Sequence, residues 1–199
     1  MNVESRELIE VEQLLGLPYD LNGKGFTAAM WDGGWAGEHK DLNYIDSKLA
    51  IGDRNENCGP TWDPTSNCQV KSHTTHVAGT MLGSGIIDPD LNGIAPNASL
   101  VSYEWPGNDS SVGLYEETEN EINESINKYS AILSQNSWGY SSIYGAYGTL
   151  TAVYDSIVKG SNANVDGSTN VVFSAETPDQ AAQTTIPRHT LAQRKTLSL

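Results

Sequence analysis

The sequence predicts an α/β fold, with a mostly parallel sheet and helices on both faces. Three observations carry that reading. Short apolar runs alternate with longer amphipathic stretches along the 199 residues, the pattern of strand–helix–strand units. Where these runs stop, polar or glycine-containing turns follow, as when a buried strand leaves a sheet. Asp32, Ser137 and Ala175 fall at the carboxyl ends of such runs, where open sheets of this kind place their sites. The length suits one well-buried domain.

Taken in order, Glu10 to Leu15 reads as a short helix, followed by a turn over Pro18 to Gly25. Phe26 to Trp31 is an apolar strand that ends on Asp32-Gly33-Gly34. Glu38 to Gln69 is loop-like, with a short strand placed within Leu42 to Ile51. Ser72-His73-Thr74-Thr75-His76 opens a helix, with Ser72 suited to the N-cap. Val77, Ala78, Met81 and Leu82 form its apolar stripe; His73 lies at its mouth and His76 closer to the packing face. Asp88 to Gly93 reads as a tight acidic turn. A calcium loop would need a bidentate Glu at its twelfth position, which here is Ser99. Leu100 to Tyr103 is a second strand. Leu114 to Lys128 is a helix with Ile122, Ile126 and Tyr129 on one face, while Glu116, Glu117, Glu119, Glu121 and Glu124 read as a solvated coat. Ala131 to Gln135 is a third strand, leading to Asn136-Ser137-Trp138-Gly139. Leu150, Val153, Tyr154, Ile157 and Val158 share one side of a further helix that Gly160 caps. Asn170 to Ala175 is a fourth strand.

The net charge of −14 argues against nucleic acid and anionic membranes as partners. No apolar run approaches membrane-span length. The first fifteen residues have neither a basic start nor an apolar core, so they do not read as a secretion signal. Either the protein stays inside the cell or this start is internal. Cys58 and Cys68 flank a polar, turn-rich loop, and both a short-range disulfide and two free thiols stay open.

An acid at a strand end and a histidine at a helix start are two parts of a nucleophilic triad: the acid orients the imidazole, and the imidazole takes a proton from a serine. At these residues the chain resembles the subtilases, the subtilisin-like serine proteases of peptidase family S8. Trp31-Asp32-Gly33-Gly34 followed by His39-Lys40-Asp41-Leu42 is similar to the family's Asp motif. His73 to Thr80 is similar to its HGTHVAGT motif, Gly93 to Ala98 to its G-x-A-P-x-A segment, and Ser137-Trp138-Gly139 to its Ser-x-Gly strand. The wording Asn-Ser-Trp-Gly resembles the oxidatively stable alkaline-protease branch. The resemblance runs from about Gly23 to Ala175 and implies a subtilisin-like three-layer fold, incomplete at the C-terminus. It implies Asp32 as triad acid, His73 as general base and His76 as a packing residue behind the site. Ser137, Trp138 and Gly139 would pair with an extended peptide, with Trp138 near a specificity pocket. Peptide or protein substrates, a monomer and an extracellular parent protein are implied. No cofactor is required; a structural calcium is left open without a clear motif, and no metal ligand is assigned. A zinc site on His73 and His76 lacks the H-E-x-x-H spacing and a third ligand.

Two departures from the family stand out. Thr74 replaces the glycine after the base, and a β-branched side chain there is expected to crowd the substrate side. The fourth strand continues as Ser174-Ala175-Glu176-Thr177, where the family has S-A-G-N with the oxyanion-binding Asn, and no Gly-Thr-Ser nucleophile motif follows. From Glu176 the chain turns polar, patternless and locally basic. With permitted codons GAA ACG CCG GAC CAG for Glu176 to Gln180, one G restored before them gives GGA AAC GCC GGA CCA G, which reads G-N-A-G-P. Permitted codons then continue to a T-A-K-N-A-I-T strand like the family's. The expectation is a frameshifted subtilase: residues 1–22 a lead-in helix, 23–175 a partial catalytic domain and 176–199 an out-of-frame tail. Without the serine, the chain is expected to be inactive; a non-catalytic peptide-binding remnant is the alternative.

Overall fold

Five strands pair in parallel in the computed structural model, which describes residues 2–37, 39–43, 49–51, 71–105, 113–138 and 147–173. They are β1 (Thr27–Asp32), β2 (Leu49–Ile51), β3 (Ser99–Glu104), β4 (Ala131–Asn136) and β5 (Asn170–Phe173), in the order β2-β3-β1-β4-β5. Among them run α1 (Asn2–Leu8), α2 (Glu12–Leu15), α3 (Lys40–Asn43), α4 (Ser72–Leu82), α5 (Leu114–Asn127) and α6 (Thr149–Val158). The predicted α/β class with a parallel sheet is what the structure shows. β1 is central and buried from Ala28 to Asp32, as expected of a strand covered on both faces.

The pleat sorts side chains into two cores. Ala29 and Trp31 of β1, with Val101 and Tyr103 of β3, meet Ile122 of α5 and Tyr154 and Ile157 of α6. Ala28 and Met30, with Leu100, meet Leu42 of α3 and Ala78 and Leu82 of α4. Met30 and Trp31 are fully buried, and each contributes roughly 1.5–3 kcal/mol by leaving water. The path from β2 through β3 and β4 to β5 crosses the sheet in one direction. Yet α4 lies on one face and α5 and α6 on the other. The β2–α4–β3 crossover therefore has the opposite hand to the two that follow. Since parallel crossovers are nearly always right-handed, the α4 connection is the left-handed one.

Several local expectations change. The N-terminal lead-in is two short helices, α1 and α2, rather than one, and Glu10 between them sits at φ 56°, a left-handed conformation that ends a helix. Arg6 of α1 is buried, pairs with Glu12 and donates to the Asn92 carbonyl at 3.3 Å. The acidic turn is a 3-10 helix over Pro89–Leu91, capped by the Asp88 carboxylate on the Asp90 N–H at 3.0 Å. Helix α3 was not expected. Val158 is 47 % exposed, off the buried side of α6. Gly160 at φ 64° follows the C-cap residue Lys159, as a left-handed terminator should.

The glutamates of α5 are not merely a solvated coat. Glu121 accepts the Trp31 indole N–H at 2.7 Å, and Glu124 accepts the Tyr103 hydroxyl at 3.1 Å. Glu119, 9 % exposed, accepts from the amides of Asn162 and Asn164 at 2.7 and 2.6 Å. Aromatic donors in the sheet need acceptors when buried, and long carboxylate side chains on the facing helix supply them. Burial, then Glu124, pushes the Tyr103 phenol well above its ordinary range; burial, then Glu121, does the same to Tyr154.

Candidate active site

Asp32 is the last residue of β1. Alternation along the strand puts it on the same face as Ala28 and Met30, under α4. Since β2 is parallel to β3 and β3 to β1, the chain leaves β2 at that end of the sheet and α4 starts there; the left-handed crossover puts it on the Asp32 face. Asp32 is 3 % exposed, so its charge depends on donors around it. The Gly33 N–H donates to Oδ1 at 2.7 Å, and the Thr74 hydroxyl donates to the same oxygen at 3.2 Å. His73 Nδ1 lies 2.9 Å from Oδ1 and 3.0 Å from Oδ2. A carboxylate accepting from Nδ1–H fixes that tautomer and leaves Nε2 as the free acceptor. The His73 side chain is 49 % exposed, so the ring is accessible while its acid partner is not. The pair can therefore take up a proton from a group brought to Nε2, with the buried carboxylate stabilising the resulting cation.

The helix start is not held as expected. The cap position is Lys71, at φ −116° and ψ 141°, and no side-chain cap bond is made; Ser72 is the first helical residue. The chain after β1 does the anchoring. Lys71 N–H donates to the Trp35 carbonyl at 3.1 Å. The Thr75 hydroxyl donates to the Lys71 carbonyl at 2.8 Å and accepts the Gly37 N–H at 2.8 Å. The buried stripe of α4 is Thr74, Ala78 and Leu82, at a spacing of four. His76 falls off that stripe and is exposed, so it does not pack behind the site. Thr74 lies on the stripe and is fully buried against Asp32, so it does not crowd an open side.

The strand ends beside Asp32 are stitched together. The Asp32 carbonyl accepts from Trp105 N–H at 2.6 Å, and Ser137 N–H donates to the Trp31 carbonyl at 3.4 Å. Gln135 Nε2 donates to the Ser137 hydroxyl at 2.9 Å. Trp138 packs into the core on the α5 and α6 side: its indole stacks on Trp105 with centroids 3.6 Å apart, and its N–H donates to Asn136 Oδ1 at 3.1 Å. Asp32 and His73 are thus brought together, and Ser137 and Trp138 stand at the end of the neighbouring strand. Gly139, Cys58, Cys68 and Ala175 lie outside the described residues. The Thr74 hydroxyl was missed as a partner of Asp32; the signal was its spacing of four from Ala78. Among the described residues, no group of three or more His, Cys, Asp or Glu side chains is placed to hold a metal ion.

A model of the subtilase family matches residues 23–187. The match starts where the resemblance starts and runs beyond Ala175. No curated protein sequence matches significantly. Among solved structures, the CspB protease of Clostridium perfringens is similar over 87 % of this chain and 39 % of its own, with 15 % identity and a TM-score of 0.56. MycP1 with its N-terminal propeptide removed is similar over 86 % of this chain and 47 % of its own, with 15 % identity and a TM-score of 0.51. The prenylagaramide maturation protease PagA is similar over 83 % of this chain and 49 % of its own, with 18 % identity and a TM-score of 0.51. At these identities the likeness is one of fold, and the chain spans less than half the length of each. With the family match covering most of the sequence, the chain belongs to the subtilase family of serine-type proteases.

Proposed function

We propose that Asp32 and His73 are the acid and general base of a subtilisin-like Asp-His-Ser triad, in a chain that lacks its serine. The observation that carries this is the two-point contact of His73 Nδ1 with the buried Asp32 carboxylate, 2.9 and 3.0 Å, at the carboxyl end of the central strand. In the complete reaction, the base takes the serine proton as the hydroxyl attacks the peptide carbonyl. Asp32 stabilises the imidazolium, and the proton then passes to the leaving amine. Backbone at Ser137 to Gly139 pairs with the peptide in extended form, a mode that reads main chain more than side chain. This supports peptide or protein substrates of broad sequence.

The sequence contains no Gly-Thr-Ser motif, and Glu176 and Thr177 stand where the family has its oxyanion-binding Asn and the glycine before it. In subtilisin, losing the serine alone costs about 10⁶ in kcat. The purified chain should therefore neither hydrolyse a casein-type substrate nor be labelled by a serine-directed fluorophosphonate. Labelling at any serine would overturn the assignment of inactivity. We attribute the altered tail to a one-base frameshift after the Ala175 codon. Sequencing the gene should show that restoring one G gives an open frame running to a Gly-Thr-Ser motif; a frame that never reaches one refutes the frameshift. The secreted habit of subtilases supports an extracellular parent protein, and among the described residues no helix is long and apolar enough to cross a membrane.

A further inference from the structure

We infer that Thr74 is a positioning residue for the Asp32–His73 pair, its hydroxyl holding the carboxylate so that both oxygens meet His73 Nδ1. This rests on the reading of those two residues as triad acid and base. Thr74 is 0 % exposed, and its Oγ1 donates to Asp32 Oδ1 at 3.2 Å across 42 positions of sequence. Its neighbour shows the alternative. Thr75 turns its hydroxyl back onto the carbonyl four residues earlier, Lys71, as threonines within helices commonly do. Thr74 instead spends its donor on the acid. A β-branched side chain has few χ1 choices in a helix, and Thr74 is held in the same buried stripe as Ala78 and Leu82. Its hydroxyl is therefore a fixed donor. With Gly33 N–H at 2.7 Å on the same oxygen, Oδ1 is anchored from both β1 and α4. The nearly equal distances from His73 Nδ1 to the two oxygens, 2.9 and 3.0 Å, fit a carboxylate held in that way. Where the family carries glycine, no side chain can supply this bond.

The test is nitrogen and proton NMR of the His73 imidazole in the full chain, reading the Nδ1–H tautomer and its exchange with water. Thr74→Val keeps the shape and removes the donor. Because the bond is made to a charged group, Nδ1–H exchange should speed up roughly tenfold or more. Thr74→Ser should restore slow exchange. Amide exchange in β1 should stay unchanged in both, which a merely structural role for Thr74 would not give. Wild-type imidazole exchange in Thr74→Val would overturn the inference, as would equal acceleration of imidazole and β1 amide exchange. If the valine variant does not fold, Thr74→Ala against Thr74→Ser gives the same comparison with the same two outcomes. Asp32→Asn separates the two readings. If it leaves the His73 signals unchanged, the pairing itself fails and Thr74's role with it. If it shifts them while Thr74→Val does not, only the Thr74 inference falls.

Discussion

Two Gly→Ala substitutions in neighbouring parts of the Asp32–His73 scaffold should move stability in opposite directions. Gly93 opens the segment after the 3-10 helix, and its N–H donates to the Gly83 carbonyl at 2.7 Å, closing the turn beyond α4. A Cβ there would lie 2.5 Å from the nitrogens of Gly83 and Leu82 and 2.7 Å from the Met81 carbonyl carbon. Ordinary contact begins at 3.4 Å, so the backbone would have to yield by about 0.9 Å, and no flexible side-chain end is there to absorb it. Overpacking of this kind costs about 1–3 kcal/mol, more where backbone must move. Gly79 sits inside α4, and a Cβ there meets nothing within 4 Å. Alanine at a helix-interior position gains roughly 0.8–1 kcal/mol over glycine. Gly93→Ala should therefore destabilise by about 2–3 kcal/mol or more, and Gly79→Ala should stabilise by up to about 1 kcal/mol. For a chain of this size the stabilising change is worth about 2–4 °C in Tm. Urea unfolding followed by tryptophan fluorescence, with thermal melts beside it, measures both. Equal effects, or a Gly93→Ala variant within 0.5 kcal/mol of the parent, would refute the claim that the end of α4 is set by backbone contact at Gly93.

Two further outcomes follow from the polar side of α5. Glu119→Leu removes the acceptor from two asparagine amides and should cost roughly 2 kcal/mol in urea unfolding, since these bonds run to a charged group; Glu119→Gln, which keeps one acceptor oxygen, should cost less. The phenols of Tyr103 and Tyr154 are raised above 10.0 in the fold, mainly by burial. A raised folded value means stability is intact below about pH 10 and falls as the pH rises from there toward the folded values. Each phenol loses about 1.4 kcal/mol per pH unit in that window. Urea midpoints at pH 9 and pH 11 should show the fall, and Tyr103→Phe should remove about half of it; an unchanged slope in that variant would show that Tyr103 ionises as easily folded as unfolded.

The central frame was legible because hydrophobic pattern decides it. The apolar run before Asp32 is too short for a helix and ends on an acid and two glycines, so β1 was visible with Asp32 at its end. Leu150, Val153, Tyr154 and Ile157 repeat at helical spacing, so α6 was visible too. Details resting on polar side chains were less so. Ser72 has the right chemistry for a cap, but the segment from Trp35 to Gly37 reached the helix start first through backbone and Thr75. The carboxylates of α5 carry no periodic mark that separates Glu116, which is exposed, from Glu121, which meets Trp31. Only the position of indole and phenol donors in the sheet makes that distinction, and a sequence pattern does not show it.

The Asp32–His73 pair also shows how few elements are needed to bring a buried acid and an exposed imidazole together. It needs β1, the loop through Gly37 and the first turn of α4, all positioned by parallel pairing of β1 with β3 and β4. Parallel connectivity brings the start of α4, rather than its far end, to the level of the buried acid, and the opposite hand of the crossover puts it on the Asp32 face. Among the described residues, the side-chain bonds of the pair run within the end of β1, the turn after it and α4.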